Sequence, residues 1–504
     1  MTKITFASDG HDAAGGILAV PVLAHRVLPP VPQALDLACG GALSRLVAAG
    51  RFTGAAGEIV ETAAPQGLEA RRLVLLGLGE AAALDGHGWE RIGGALAAAL
   101  AGSGEEGVRL VLDPPGDAAL GGPGALCRLA LGFVLRGYRD DRFRSKRTDG
   151  DEGSPASLTL VSACAEEAGR LWQDDLSHVA AGVMLARDLF GEPANTLYPE
   201  SFVARLAPLA DLGIDIEVLG PERLAELKMN AMLAVAEGSA REARLVVLRW
   251  NGAPDPETPP IAFVGKGVTF DSGGISIKLA KGMEEMKGDM AGAAAVAGAM
   301  RALAGRRAPV NAVGVLGLVE NMPSGTAMRP GDILTTMAGW TIEIIDTDSE
   351  GRLVLADALW FTHKTFAPAA MIDLATLTYD VMAALGLVFT GLFATDDKLA
   401  GDLMTASGVS GEKLWRLPLD EAFEENLGSD IADLRHFGPD DEEADASHAA
   451  QLLSRFAGGR PWAHLDIAGK EMAYDDKPLC PKGPTGVGVR LLDQFARCHD
   501  AQRD

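Results

Sequence analysis

The chain has 504 residues, enough for two or three domains at roughly 100–200 residues each. A hydrophobic fraction of 48% allows a large core, and a formal net charge of −24 repels polyphosphate, which argues against nucleic acid as a partner. The N-terminal stretch lacks a signal-peptide pattern and no run reaches the ~20 apolar residues of a membrane span, so a cytoplasmic protein with no membrane association is expected.

In chain order, short apolar runs at Ile17–Val22, Leu73–Leu76, Val108–Leu112 and Leu158–Val161 predict strands. Gly77-Leu-Gly79 looks like part of a dinucleotide fingerprint, but a tight strand-to-helix turn is the simpler reading. Gly93–Ala101 predicts a helix of small residues. The basic run Arg142–Arg147 falls in a polar stretch, 137–156, that reads as a solvated loop. Glu166–Leu189 predicts a long connecting helix. The alternation implies a small N-terminal α/β domain over 1–170 and a larger C-terminal α/β/α catalytic domain with a mixed sheet over 171–504. In the second part, Leu245–Trp250, Ile261–Val264, Val310–Val319, Ile342–Ile345 and Met371–Leu374 predict strands, with helices over Met290–Ala304 and Leu353–Lys364. The five cysteines form no CxxC and read as free thiols of a reducing compartment. His464, in an apolar stretch, and His363 read as structural, and Met283 and Met290 as core.

Three segments concentrate chemistry. In Val264–Lys278 a strand runs into Lys266 among glycines, so Lys266, Asp271 and Lys278 are expected at or beyond its end, where sites form in α/β sheets. Asp271 follows Phe270, and a carboxylate beside apolar surface is costly without a cation. Asp289 lies near the start of an alanine-rich helix, where the dipole favours its charge. In Asp346–Leu353 the acids and Arg352 alternate. An extended backbone would send Asp348, Glu350 and Arg352 into one pocket. Several acids converging this way repel one another unless bound cations compensate, and oxygen-rich sets suit Mg, Mn or Zn. Two such cations would activate a water and polarise a carbonyl.

These stretches resemble the leucyl aminopeptidase (cytosol aminopeptidase, M17) family. Asp346-Thr-Asp-Ser-Glu-Gly-Arg-Leu353 is similar to its NTDAEGRL octapeptide, Gly265–Lys278 to its GKGxTFDSGGxxxK block and Met286–Met290 to its MKxDM block. Further matches extend the resemblance over roughly residues 170–495, with weaker similarity before it. It implies a leucyl-type aminopeptidase with a smaller, macro-like N-terminal domain. It also implies two divalent metals, Mn or Zn foremost and Mg or Co as alternatives, on Lys266, Asp271, Asp289, Asp348 and Glu350. Asp271 and Glu350 would bridge them, Lys278 would polarise the scissile carbonyl, and Arg352 would hold a bicarbonate that accepts a proton. Met286, Thr376, Leu377 and Tyr379 would contact peptide substrates, and the assembly would be a homohexamer.

The sequence departs from that pattern at Thr378-Tyr-Asp380, where Thr-Gly-Ala is usual, and in the unusually acidic stretch 439–450. Tyr379 predicts a narrowed preference for the N-terminal residue. The alternatives are a related dipeptidase or amidase, or a non-enzymatic accessory role, against which the net charge argues.

Overall fold

The computed structural model describes residues 2–8, 16–80, 83–112, 122–146, 153, 155–439 and 444–501. It divides into two compact units: Met1–Ala180 with Ala473–Gly483, and Ala181–Met472 with Pro484–Asp504.

The first unit is built on six strands: β1 (Lys3–Ala7), β2 (Ile17–Leu23), β3 (Ile59–Ala63), β4 (Arg72–Gly79), β5 (Gly107–Val111) and β6 (Ser157–Val161). Their order is β1-β6-β5-β2-β4-β3, parallel except for β3 against β4. The four strands expected from apolar runs are present. β1 and β3 escaped that reading because they lie at the edges, where half-exposed residues dilute the apolar signal. Gly77 lies within β4, and an added Cβ there would sit 2.1 Å from the Ala55 carbonyl oxygen, so its smallness serves packing. Ala473–Gly483 belongs to this unit by contacts that no local pattern announces: Asp476 pairs with Arg136 at 2.6 Å, and a Cβ on Gly94 would collide with the Pro478 carbonyl. Of the basic run, Arg142 pairs with Asp140 at 2.6 Å, and Arg147 lies outside the described residues. The helix expected at Glu166–Leu189 runs as Ala165–Leu171 and Ser177–Gly191 around a π turn, Trp172–Leu176. None of the five cysteines is in a disulfide among the described residues.

The second unit carries β7 (Asp215–Leu219), β8 (Arg244–Asn251), β9 (Ile261–Asp271), β10 (Asn311–Asn321), β11 (Ile333–Thr335), β12 (Thr341–Glu343), β13 (Ala370–Ala375), β14 (Thr390–Ala394), β15 (Leu414–Arg416), β16 (Leu434–Arg435) and β17 (Trp462–Asp466). Eight of them form a mixed sheet, β15-β14-β17-β13-β9-β10-β8-β7, with β9 parallel to both neighbours. The strand expected near Ile342–Ile345 is instead the short β12 of a separate three-stranded sheet. β9 and β10 are buried on both faces, which explains why their sequences read as continuous rather than alternating apolar runs. The helix Ala291–Gly305 packs closely on β9 and β13. A Cβ on Gly292 would lie 2.0 Å from the Leu374 carbonyl, and one on Gly265 2.6 Å from Ala293 Cα. The alanine bias of this helix therefore sets a short helix-to-sheet distance. No helix among the described residues is long and apolar enough to cross a membrane.

Candidate functional site

The site grows from β9. The strand continues to Asp271, so Lys266 stands inside it rather than at its end as expected. Lys266 and Asp271 are an odd number of residues apart, and regular alternation would place them on opposite faces. The register against β10 slips between Val319 and Asn321, which gives β9 one extra residue and restores Asp271 to the parity of Lys266. Asn321, brought level with Asp271, donates to its Oδ1 at 2.8 Å and to the Thr347 carbonyl at 3.0 Å. Gly273 and Gly274 then take positive φ (86° and 67°) and fold the chain back tightly toward Asp348 and Asn321.

Two ammonium groups face four carboxylates. Lys266 Nζ lies 2.8 Å from Asp289 Oδ1 and 2.9 Å from Glu350 Oε1, and it donates to the Thr376 carbonyl at 3.0 Å. Lys278 Nζ lies 2.8 Å from Asp271 Oδ2 and 2.6 Å from Asp348 Oδ1. Thr376 Oγ1 donates to Asp289 Oδ1 at 2.6 Å. Lys266 reaches its partners only because residue 351 is glycine: a Cβ there would sit 2.6 Å from its Cε. Glu350 is fully buried, yet its Oε2 and Asp289 Oδ2 find no hydrogen-bond partner among the described residues.

This charge balance is abnormal for a protein interior. Burial, reinforced by Asp271, pushes Glu350 up to about 8. The same two causes raise Asp348 to about 7. Burial raises Asp289 to about 6 against the pull of Lys266. Burial alone would lower both lysines. The surrounding carboxylates outweigh it and hold each above the ordinary lysine range.

The donor set can be tested for fit to divalent cations. Asp271, Asp348 and Glu350 each offer an oxygen, and the three oxygens lie within 4.8 Å of one another. Buried carboxylate oxygens without partners are what hard cations coordinate. The residues fit such a group, with Lys266 able to join only by releasing a proton.

Arg352 does not join this cluster. The expectation of an extended octapeptide fails, because Thr347–Ser349 form a short 3-10 turn and a helix, Glu350–Phe366, begins at Glu350. Residues two apart on a helix point in nearly opposite directions. Glu350 therefore faces Lys266, while Arg352 binds the Asp445 carboxylate at 2.6 and 2.5 Å and the His436 carbonyl at 2.8 Å. Bicarbonate does not fit Arg352 as the structure stands, since Asp445 occupies the guanidinium.

The other expected residues are placed as follows. Met286 is half-buried in a 3-10 segment, Met283–Gly288, and Met283 is half-buried there too, while Met290 is core. Thr376 and Leu377 follow β13, and the Leu377 amide donates to Asp466. Tyr379 is exposed (61%), its ring centroid 5.6 Å from Lys278 Nζ. His464 is buried and bonded to Asp373 at 2.6 Å, as a structural histidine should be. Asn321, Asp380 and Asp445 were not expected as site residues, since the partners that give them their roles, Asp271, Asp445 and Arg352, lie 50, 65 and 93 residues away.

The model of the cytosol aminopeptidase family's catalytic domain matches residues 184–493, and that of its N-terminal domain residues 19–147. A probable cytosol aminopeptidase of Caulobacter vibrioides is 47% identical over 487 residues, covering 96% of each chain. One from Allorhizobium ampelinum is 46% identical over 497 residues, covering 98% of each. Among solved structures, a bottromycin maturation enzyme in complex with Mn matches with TM-score 0.81 and 33% identity, covering 96% of this chain and 99% of that one. A tomato leucine aminopeptidase mutant matches with TM-score 0.85 and 34% identity, covering 98% and 96%.

Proposed function

This chain belongs to the cytosol aminopeptidase family, and we propose that it releases N-terminal residues from peptides at two divalent cations held by Lys266, Asp271, Asp289, Asp348 and Glu350. The observation that carries the reading is the buried surplus of carboxylate oxygens, four acids against two lysines, with Glu350 Oε2 and Asp289 Oδ2 unpartnered. The cations would supply an activated water and a polarised carbonyl, Mn or Zn foremost, with Mg or Co as alternatives.

The chain's own residues do the rest. Asp271 and Glu350 each act electrostatically on both lysines, and they would hold the cations jointly. Lys278 donates to the scissile carbonyl oxygen as negative charge builds there. Thr376 fixes the Asp289 carboxylate. Met286, Thr376, Leu377 and Tyr379 line the approach of the N-terminal residue. The exposed Tyr379 ring beside Lys278 narrows which side chains fit. Its replacement by glycine should broaden a panel of aminoacyl anilides. A wild-type panel already as broad as that of the variant would remove Tyr379 from specificity.

The deciding measurement is leucine-anilide hydrolysis by the purified protein. Activity should vanish with chelator and return with Mn, Zn, Mg or Co. Hydrolysis that survives exhaustive chelation, or no hydrolysis under any metal, overturns the reading. Cytoplasmic location and a homohexamer complete it, on family membership alone. Equilibrium sedimentation giving a monomer would remove the hexamer.

A further inference from the structure

Arg352 is a buried cation whose counter-ion comes from its own chain. Its side chain is 1% exposed, and two of its nitrogens are engaged, one by both oxygens of Asp445 and one by the His436 carbonyl. Only Nε lacks a partner among the described residues, and it too is buried. Two of the three nitrogens with which a guanidinium grips a planar oxyanion are therefore spent on Asp445 and the His436 carbonyl.

A second acid holds Asp445 in position. Asp445 opens the helix Asp445–Ser454, and its amide donates to Asp380 Oδ2 at 2.8 Å. Asp380 follows Tyr379 in one stretch where the sequence departs from the family pattern, and Asp445 lies in the other. The two departures, 65 residues apart, meet at one hydrogen bond.

We propose that Asp445 is the resident anion of Arg352, a tethered carboxylate in the place where an exchangeable bicarbonate was expected, with Asp380 as its positioning residue. Tethering gives the carboxylate an effective concentration on the order of millimolar or more, against which free bicarbonate competes poorly. The inference rests on the peptidase reading only for its turnover arm. The binding arm needs no activity.

The test uses the metal-loaded full chain in carbon-dioxide-stripped buffer, with 13C-bicarbonate NMR as one readout and peptide turnover as the other. The wild type should show no saturable bicarbonate binding, and added bicarbonate should change its turnover less than about twofold. Asp445→Ala should gain saturable binding, lose about tenfold or more of its turnover in stripped buffer, and recover it with bicarbonate. Asp445→Asn should behave similarly, since it keeps the shape but not the charge. Saturable binding by the wild type overturns the proposal, and so does an Asp445→Ala protein indifferent to bicarbonate in both readouts. If the variants fail to fold, the wild-type titration still decides. If no peptide is turned over, the NMR arm still reads, so failure of the peptidase assignment stays separate.

Discussion

Around Lys266 and Lys278 four carboxylates face two ammonium groups, whereas around Arg352 one guanidinium faces one carboxylate and one carbonyl. Both sites are largely buried, and each takes one residue, Glu350 or Arg352, from the first turn of one helix. The first leaves carboxylate oxygens unpartnered, and the second closes on itself apart from one guanidinium nitrogen. Buried charge is tolerated only when compensated, so the open cluster points outward to a missing partner. The closed pair has no such need. The contrast teaches how to read buried ions: a surplus marks a ligand site, while balance marks an internal substitute for one.

That comparison can be broken most sharply at its open side. Glu350→Gln keeps the shape and removes a charge, and should lower kcat/KM on the order of a thousandfold or more while metal content falls. Full activity with full metal content would show that Glu350 is not a ligand. Lys278→Ala should keep its metal and lose on the order of a hundredfold in kcat. An unchanged rate would rule out the carbonyl contact.

On the closed side, Asp445→Ala strands the Arg352 guanidinium. It should cost about 2 kcal/mol in denaturant unfolding, reduced from the fully buried value because Asp445 keeps some solvent contact. No loss of stability would show that the pair is not needed as a pair.

The smallest effect is on pH dependence. In the metal-free protein Asp289, Asp348 and Glu350 sit above their ordinary ranges, at about 6, 7 and 8, because of burial and mutual repulsion. A carboxyl raised in the folded state is neutral there at low pH. Its ionisation in the unfolded chain costs stability as pH climbs from the ordinary carboxylate range to the folded value. The raised lysines do not oppose this below their own ordinary range. Chelated protein should therefore melt a few degrees lower at pH 8 than at pH 5, and metal-loaded protein should not. A flat profile for the chelated protein would contradict the inferred repulsion.

Much of the open cluster was legible in the sequence. The acids and lysines stood in three glycine-punctuated segments, and the structure brings Lys266, Asp271, Lys278, Asp289, Asp348 and Glu350 together. The apolar runs of β2, β4, β8, β9, β10 and β13 were equally plain. The closed pair was not legible. Alternation suggested that Arg352 would join Glu350, but the backbone turns helical at Glu350 and separates them. Asp445 looked only like one acid of an acidic stretch, and nothing within its neighbourhood pairs it with a residue 93 positions earlier.

By itself, then, the sequence determined which elements form and which residue types each carries, because propensity, periodicity and glycine turns depend on neighbours a few residues away. Only the tertiary structure decided which face each side chain serves. The extra residue in β9 turned Asp271 toward Lys266, the helix start turned Arg352 away, and the return of Ala473–Gly483 to the first unit joined distant parts of the chain. Those outcomes depend on register and packing between segments far apart in the chain, where no local pattern reaches.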